Sequence, residues 1–451
     1  MSELASEPAS TVSELPVAVI GAGPEGLAAA AHLLERGLEP LVLEAGDGPA
    51  SAVREWGHVR LFSPWPELVD QAAARLLAPT GWAAPGSGYP TGAEWIGQYL
   101  APLAEALGGR VRYGARVTGV SRLGRDRLVD AGRADQPFTV HVTGPGGSEE
   151  RVEARAVIDA SGTWRQPNPA GADGLPALGE RAAAGLVRYQ IPDLAAPEPF
   201  AGRHTLVLGS GHSAVTAVIE LARIAEQHPG TTVTWVLRRG VTGATFGGGT
   251  ADQLPQRGAL GLRAKQAVTD GLASLVTGFR TERIRLDAGG RAVLVAEGGR
   301  ELAPADSVVV LTGFRPDLSF LSEMRLDLDP VLQAPHRIAP GIDPNIHSCG
   351  TATPTLARDL AHPEPGLYLV GMKSYGRAPT FLAMTGYEQV RSVAAELAGD
   401  HEAAARSELV LPDTGVCSGS GLGDDPDGAS AGGCCAPAPQ VLQIGLAPAR
   451  S

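Results

Sequence analysis

Apolar positions along the chain fall into short, dense clusters, and two of these clusters repeat one pattern. In LPVAVIGAGPEGLAAAAHLLERGLEPLVLEAG, residues 15–46, a β-branched run over Val17–Ile20 ends in a glycine turn. A helix-forming stretch follows over Leu27–Arg36, Gly37 closes it, and Leu41–Glu44 reads as a second strand. Strand, turn, helix and strand in this order make a βαβ unit. HTLVLGSGHSAVTAVIELARIAEQHPGTTVTWVLRR, residues 204–239, repeats the order with a strand over Thr205–Leu208, a helix over Ser213–Glu226 and a strand over Val233–Leu237. Alternating runs at FTVHVTG (138–144) and AVLVAEGG (292–299) predict hairpin strands. An acidic, Ala-rich stretch at 400–408 closes the globular part, and a flexible tail is expected from residue 412.

The first glycine turn carries a nucleotide fingerprint. Gly21, Gly23 and Gly26 fill G-x-G-x-x-G, with Pro24 and Glu25 in the spaces before the last glycine. Gly21 permits the tight turn, Gly23 lets backbone approach a pyrophosphate, and Gly26 lets helix and strand pack closely. The pyrophosphate sits on the exposed N–H groups and positive dipole end of the helix. Glu44, followed by Ala45, ends the second strand 18 residues past Gly26, where a carboxylate binds ribose hydroxyls. The bland reading, an ordinary glycine turn, does not account for strand, helix and acid in register. The fingerprint serves FAD and NAD alike; its place near the N-terminus, with a second copy downstream, favours FAD.

The second turn differs where its second strand ends. Gly209 and Gly211 supply the first two glycines, His212 and Ser213 open the helix, and Ala214 takes the packing position. Arg238 and Arg239 stand where an NAD site would carry an acid. Two guanidinium groups suit the 2′-phosphate of NADPH as bidentate donors, against the alternative of a solvated basic pair. The cofactors so read are FAD and NADPH.

Composition narrows the partners. The length of 451 residues implies two or three domains, and a net charge of −12 argues against a nucleic-acid partner or an anionic membrane surface. The acidic start MSELASEPASTVSELP has no apolar core of a signal peptide, and no run reaches the roughly 18 apolar residues of a membrane span. Four cysteines in such a chain do not form a disulfide framework, which points to a reducing, cytoplasmic setting. Three of them, Cys417, Cys434 and Cys435, lie in the Gly-, Ser- and Asp-rich segment 416–440. Unselected residues of a disordered tail, a labile disulfide, and soft donors for a thiophilic ion such as trivalent arsenic all fit that pattern. A structural zinc site would want a fourth ligand.

Together these features resemble the class B flavin monooxygenases within the two-dinucleotide-domain flavoproteins, over residues 15–399. The resemblance rests on the first turn with Glu44, on YPTGAEWIGQYL (89–100), on VIDASGTWRQPNP (157–169) with Gly162, on GSGHSA (209–214) and on VVLTGFRPDLSFL (309–321) with Gly313. It implies an α/β fold of two Rossmann-like domains, with the NADPH domain inserted in a discontinuous FAD domain. The boundaries expected are a flexible N-terminus over 1–14, FAD domain over 15–198 and 311–400, NADPH domain over 199–310, and a linker with the cysteine tail over 401–451. A further resemblance is to bacterial flavin monooxygenase-like proteins of arsenic-resistance operons, several with cysteine-containing tails. The Baeyer–Villiger signature F-x-G-x-x-x-H-x-x-x-W is absent from 185–207, which disfavours ketone oxidation.

The resemblance also implies a reaction: NADPH reduces FAD, O₂ adds at flavin C4a, and a small molecule is oxygenated. In such proteins GLYLVGMKSYGRAPTFLAMTGYEQVRSVAAEL (366–397) closes the flavin end, with Gly371 and Met372 near the ring and a helix starting near Thr380 facing its pyrimidine side. Lys373 and Arg377 are then candidate cations beside the flavin, and Trp56 and Arg60 candidate flavin contacts, each equally compatible with solvent, phosphate or core roles. Cys349, two residues from His347, is a candidate reactive thiol against the commoner inert one. Neither C-x-x-C nor C-x-x-x-x-C occurs. A thiol or metalloid reductase working through the tail is the rival enzyme, and a redox-sensing binding protein the non-catalytic alternative. The oligomeric state, monomer or homodimer, is not legible.

Overall fold

The computed structural model of the protein describes residues 12–240, 243–246, 255–345, 354–378 and 381–409. These residues divide into two compact units, one built from 12–167, 313–343 and 354–409, the other from 168–312 and 344–345.

In the first unit β1 (Val17–Ile20) leads into helix α1 (Pro24–Glu35) and β2 (Pro40–Leu43). Further along come β3 (Val111–Arg112), β4 (Arg116–Arg122), β5 (Phe138–Thr143), β6 (Glu149–Ala154) and β7 (Ala156–Asp159). β1 lies between β2 and β7, parallel to both, with Val17 opposite Pro40 and Ala156. Its side chains alternate between two layers, as a pleated strand requires. Val17 and Val19 pack with α1, whereas Ala18 and Ile20 pack against Phe138, Val140 and Val142 of the antiparallel sheet β4-β5-β6. Leu27, Ala28, Ala29, Ala30 and Leu33 of α1 are fully buried, so this helix is covered on all sides and owes its place to packing more than to propensity.

The second unit repeats the scheme with β8 (Val187–Arg188), β9 (His204–Leu208), helix α2 (His212–Gln227), β10 (Thr232–Val236), β11 (Ser274–Val276), the hairpin β12 (Thr281–Leu286) and β13 (Ala292–Ala296), and β14 (Ser307–Val310). Its parallel sheet runs β11-β10-β9-β14-β8. Val207 faces the α2 layer, and Leu206 and Leu208 face the hairpin layer with Ile284 and Leu294. The chain enters this unit at 168, not 199, because residues 172 and 178 already pair with the β12 strand and β8 joins the β14 edge.

The chain then returns to the first unit, where β15 (Leu367–Leu369) pairs with β7 to complete the order β15-β7-β1-β2-β3. Helix α3 (Ala383–Leu397) packs on α1, and α4 (His401–Ala405) follows it. α3 opens at Ala383, after Thr380, which lies outside the described residues. Residues 401–409 are ordered rather than part of a loose linker. Arg391 donates to Ala403 O (3.0 Å) and pairs with Glu388, Ser392 Oγ donates to Ala404 O (2.6 Å), and Asp400 caps Ala403 N.

Candidate functional site

Both glycine turns sit at the carboxyl end of a central parallel strand, where α/β sheets bind nucleotides. At the first, Gly21 has φ +99° and a Cβ there would stand 2.9 Å from Ala160 O. A Cβ on Gly26 would stand 1.9 Å from Gly21 O, so strand and helix approach as only glycine allows. Gly23, by contrast, has nothing within 4 Å of such an atom. It is the N-cap of α1 and has no side-chain cap, and Pro24 supplies the first turn without an N–H. Open space over an uncapped helix N-terminus fits a pyrophosphate.

Glu44 follows β2 and is buried, its carboxylate fixing the turn. Ala22 N donates to Oε2 at 2.7 Å, while Gly46 N and Ser51 Oγ donate to Oε1 at 2.7 and 2.8 Å. A carboxylate offers about four acceptor positions, so one remains for a ribose hydroxyl. Beside it, Ala45 lines a cavity of ≈ 330 Å³ with Gly46, Asp47, Gly114, Arg116 and Thr143. Gly162, φ +67°, turns the chain after β7.

The second turn is built alike. Gly209 has φ +127° and would place a Cβ 2.2 Å from Leu311 O, Gly211 opens on free space, and Ala214 is fully buried. The buried Trp235 of β10 donates from Nε1 to Gly209 O at 2.8 Å, which pins the turn. His212 and Ser213 are half-buried in the first turn of α2, whose N-cap Gly211 again lacks a side-chain cap. Arg238, exposed just past β10, donates to Ala172 O at 2.8 Å, and Arg239 beside it is half-buried. Gly313, φ +97°, lies where the chain returns to the first unit.

The other candidates are placed less simply. Gly371 opens the turn Gly371–Tyr375, and its N–H is held by Gln389 Oε1 at 2.8 Å; Gln389 in turn donates to Thr355 and Ser374. Met372 is half-buried. Lys373 is not in an open loop. It is fully buried, its Nζ lying 2.7 Å from Asp159 Oδ2, 2.9 Å from Ser161 Oγ and 4.3 Å from the centre of the Phe320 ring. Ser161 closes the set by donating from N and Oγ to Asp159 Oδ1. This ion pair ties β7 to the turn after β15. Burial opposes ionisation of the nearby Asp317 carboxyl, but hydrogen bonds from Ser319 and, to a lesser degree, this ammonium hold it low.

Arg377 keeps its guanidinium exposed after Gly376, whose φ of +57° and close approach to Leu332 O require glycine. Burial lowers the pKa of Arg315, and the positive charge of Arg377 lowers it further. Trp56 stacks its ring edge on Gly92, where a Cβ would stand 2.9 Å away, and Arg60 donates to Tyr89 O. Both therefore serve the segment 89–95. Cys349, Cys417, Cys434 and Cys435, with His347, lie outside the described residues. Among the described residues no group of three or more His, Cys, Asp or Glu could hold a metal, and no helix is long and apolar enough to cross a membrane.

Two features escaped the sequence reading. Asp159 is a charge at the end of the apolar strand β7, a signal that a partner exists, and the partner is Lys373 in the turn after β15. Glu25 carries a side chain that matters apart from its place in the fingerprint. It is half-buried by surface, yet burial of its carboxyl, opposed by a hydrogen bond from its own backbone, raises the pKa to about 7.

The model of the pyridine nucleotide-disulphide oxidoreductase family matches residues 18–336. Indole-3-pyruvate monooxygenase YUCCA1 of Oryza sativa is 31% identical over 205 residues, which span 46% of this chain and 44% of that enzyme. A ferredoxin–NADP reductase of Ignicoccus hospitalis is 26% identical over 69% of this chain and 81% of its own length. Among solved structures, bacillithiol disulfide reductase Bdr of Bacillus cereus aligns with a TM-score of 0.63 at 21% identity, covering 86% of this chain and 99% of that one. DfoA of Erwinia amylovora, a cadaverine monooxygenase bound to FAD, aligns with a TM-score of 0.58 at 17% identity, covering 89% and 98%. With two nucleotide turns on two parallel sheets, the chain belongs to the pyridine nucleotide-disulphide oxidoreductase family, on a fold shared with flavin monooxygenases and disulfide reductases.

Proposed function

We propose that this protein is a single-component monooxygenase that uses NADPH and O₂ to oxygenate a small molecule, with soft heteroatoms and organoarsenicals as the favoured substrate class. The observation that carries the reading is one of cysteine spacing. Disulfide reductases on this fold keep a C-x-x-C or C-x-x-x-x-C pair beside the flavin, and the sequence has neither. The similarity to an enzyme named for monooxygenation supports the same choice.

Bound FAD supplies hydride acceptance from NADPH and activation of O₂. The chain's part is binding and placement. The N-terminus of α1 and the space over Gly23 receive the pyrophosphate, Glu44 a ribose, and the N-terminus of α2 over Gly211 the NADPH pyrophosphate. Arg238 and Arg239 take the 2′-phosphate. Lys373 acts through Asp159 and Ser161 as a positioning residue, while the exposed Arg377 is the cation open to an anionic group. One oxygen atom enters the substrate, and the other leaves as water with the two electrons from NADPH and protons from solvent.

The rival reading, a thiol or metalloid reductase, rests on the adjacent pair Cys434–Cys435. A screen of NADPH-dependent O₂ uptake that includes trivalent arsenicals, read with ¹⁸O₂, separates the two. Label in the product supports oxygenation. NADPH oxidation that persists without O₂, stoichiometric with thiol formation, overturns it.

A further inference from the structure

Glu25 has a side chain that the nucleotide fingerprint does not call for. The fingerprint uses backbone at this position, and an acid beside a pyrophosphate opposes it, since like charges in contact disfavour one another. Its surroundings are nonetheless built around it. A Cβ on Gly371 would stand 3.0 Å from Glu25 Cγ and 3.3 Å from Cδ. A Cβ on Gly386, in the first turn of α3, would stand 2.6 Å from Cγ and 3.2 Å from Oε1. Two glycines from separate segments thus leave a slot that the acid fills, between the N-terminal turns of α1 and α3.

Among the described residues, the charges around the slot give the acid no counter-ion. Its carboxyl accepts from its own backbone N–H, and no cation of those residues contributes to its titration. From α3 it faces Tyr387 and from the segment 96–100 it faces Tyr99, and its charge helps to raise both phenols. Asp70, which acts on the same two tyrosines, is paired with His32 at 2.9 Å. Lys373, in the turn that begins at Gly371, is closed on Asp159. Burial then dominates, and the carboxyl titrates near neutrality.

We propose that Glu25 is a proton-carrying positioning residue of the FAD site: its carboxyl must be neutral for the pyrophosphate to seat, so FAD binding takes up one proton from solvent. The neutral acid is a hydrogen-bond donor where the anion is only an acceptor. The proposal rests on assigning FAD to the first glycine turn.

The test uses flavin-stripped, full-length protein titrated with FAD by calorimetry, in two buffers of different ionisation enthalpy, from about pH 6 to pH 9. Proton uptake should be small at the acid end and approach one per FAD at the alkaline end. The FAD Kd should rise by up to about tenfold per pH unit above neutrality, the slope of one linked proton. Glu25→Gln keeps shape and neutrality, and should bind FAD with a Kd that pH does not change. FAD binding without proton uptake in the wild type overturns the proposal, as does uptake that persists in Glu25→Gln. If that variant does not fold, Glu25→Ala, which also lacks the carboxyl, takes its place in the same two-buffer measurement, and uptake that persists in it overturns the proposal. Failure of FAD to bind at every pH overturns the FAD assignment as well and so is distinguishable.

Discussion

A Lys373→Met substitution removes an ammonium that lies 2.7 Å from Asp159 in a place neither residue shares with solvent. Methionine fills similar volume, so the perturbation is chiefly the loss of charge. Breaking a buried pair by deleting one partner destabilises by about 3–5 kcal/mol, because the remaining charge is left unpaired. Asp159 Oδ1 keeps its two bonds from Ser161, at 3.0 Å from N and 2.6 Å from Oγ, which places the expected loss near the lower end, about 3 kcal/mol. At roughly 2–4 °C per kcal/mol for a domain of this size, the apo-protein Tm should fall by about 6–12 °C. Urea melts followed by far-UV circular dichroism give the free energy directly. Adding Asp159→Asn to Lys373→Met should recover much of the loss, with a coupling of about 0.5–3 kcal/mol in the double-mutant cycle. If Lys373→Met melts like the wild type while kcat collapses, the lysine acts on the reacting groups, and the positioning role assigned here is refuted.

Three further outcomes follow from the same geometry. Gly26→Ala forces a Cβ to within 1.9 Å of Gly21 O, so the purified protein should carry little flavin and lose about 1–3 kcal/mol in denaturant melts. Arg239→Ala should raise KM for NADPH by about tenfold or more while leaving that for NADH nearly unchanged, since one charge-assisted bond is worth about 1.5–3 kcal/mol. Burial lowers the pKa of His362 to about 4, against smaller opposing effects of Asp327, and Asp327 N donates to its Nδ1 at 3.2 Å. This folded pKa lies below the ordinary imidazole value of 6.5, so the stability it contributes is present above pH 6.5 and lost as pH falls towards about 4. The loss amounts to about 3 kcal/mol, and acid melts of His362→Gln should lack that part.

The glycine turns were legible because backbone sterics leave so few residues for them. Gly21 and Gly209 adopt positive φ against a carbonyl, and only glycine fits both demands. The βαβ runs were legible for a related reason, their apolar strands and helices being buried on both sides. What could not be read is contact between distant segments. Ser161 and Lys373 stand 212 positions apart, and Arg122 and Glu364, also joined in a buried pair, 242. A charge inside an apolar strand announces that a partner exists without saying which. The slot for Glu25 depends on two glycines far along the chain, which look in sequence like ordinary turn and helix residues. Trp56 and Arg60, candidate flavin contacts because they follow β2, touch the segment 89–95, a contact their spacing does not show. The entry into the second unit at 168 was missed because β8 is only two residues long, too short for any periodicity to show.

The proposed oxygenation at the flavin site needs no thiol chemistry. Replacing all four cysteines, Cys349, Cys417, Cys434 and Cys435, with serine and measuring NADPH-dependent O₂ uptake tests this most directly. The variant should consume O₂ with a responsive substrate at the wild-type rate and place ¹⁸O in the product. Loss of that uptake, together with a wild type that reduces disulfides anaerobically at the expense of NADPH, would contradict it.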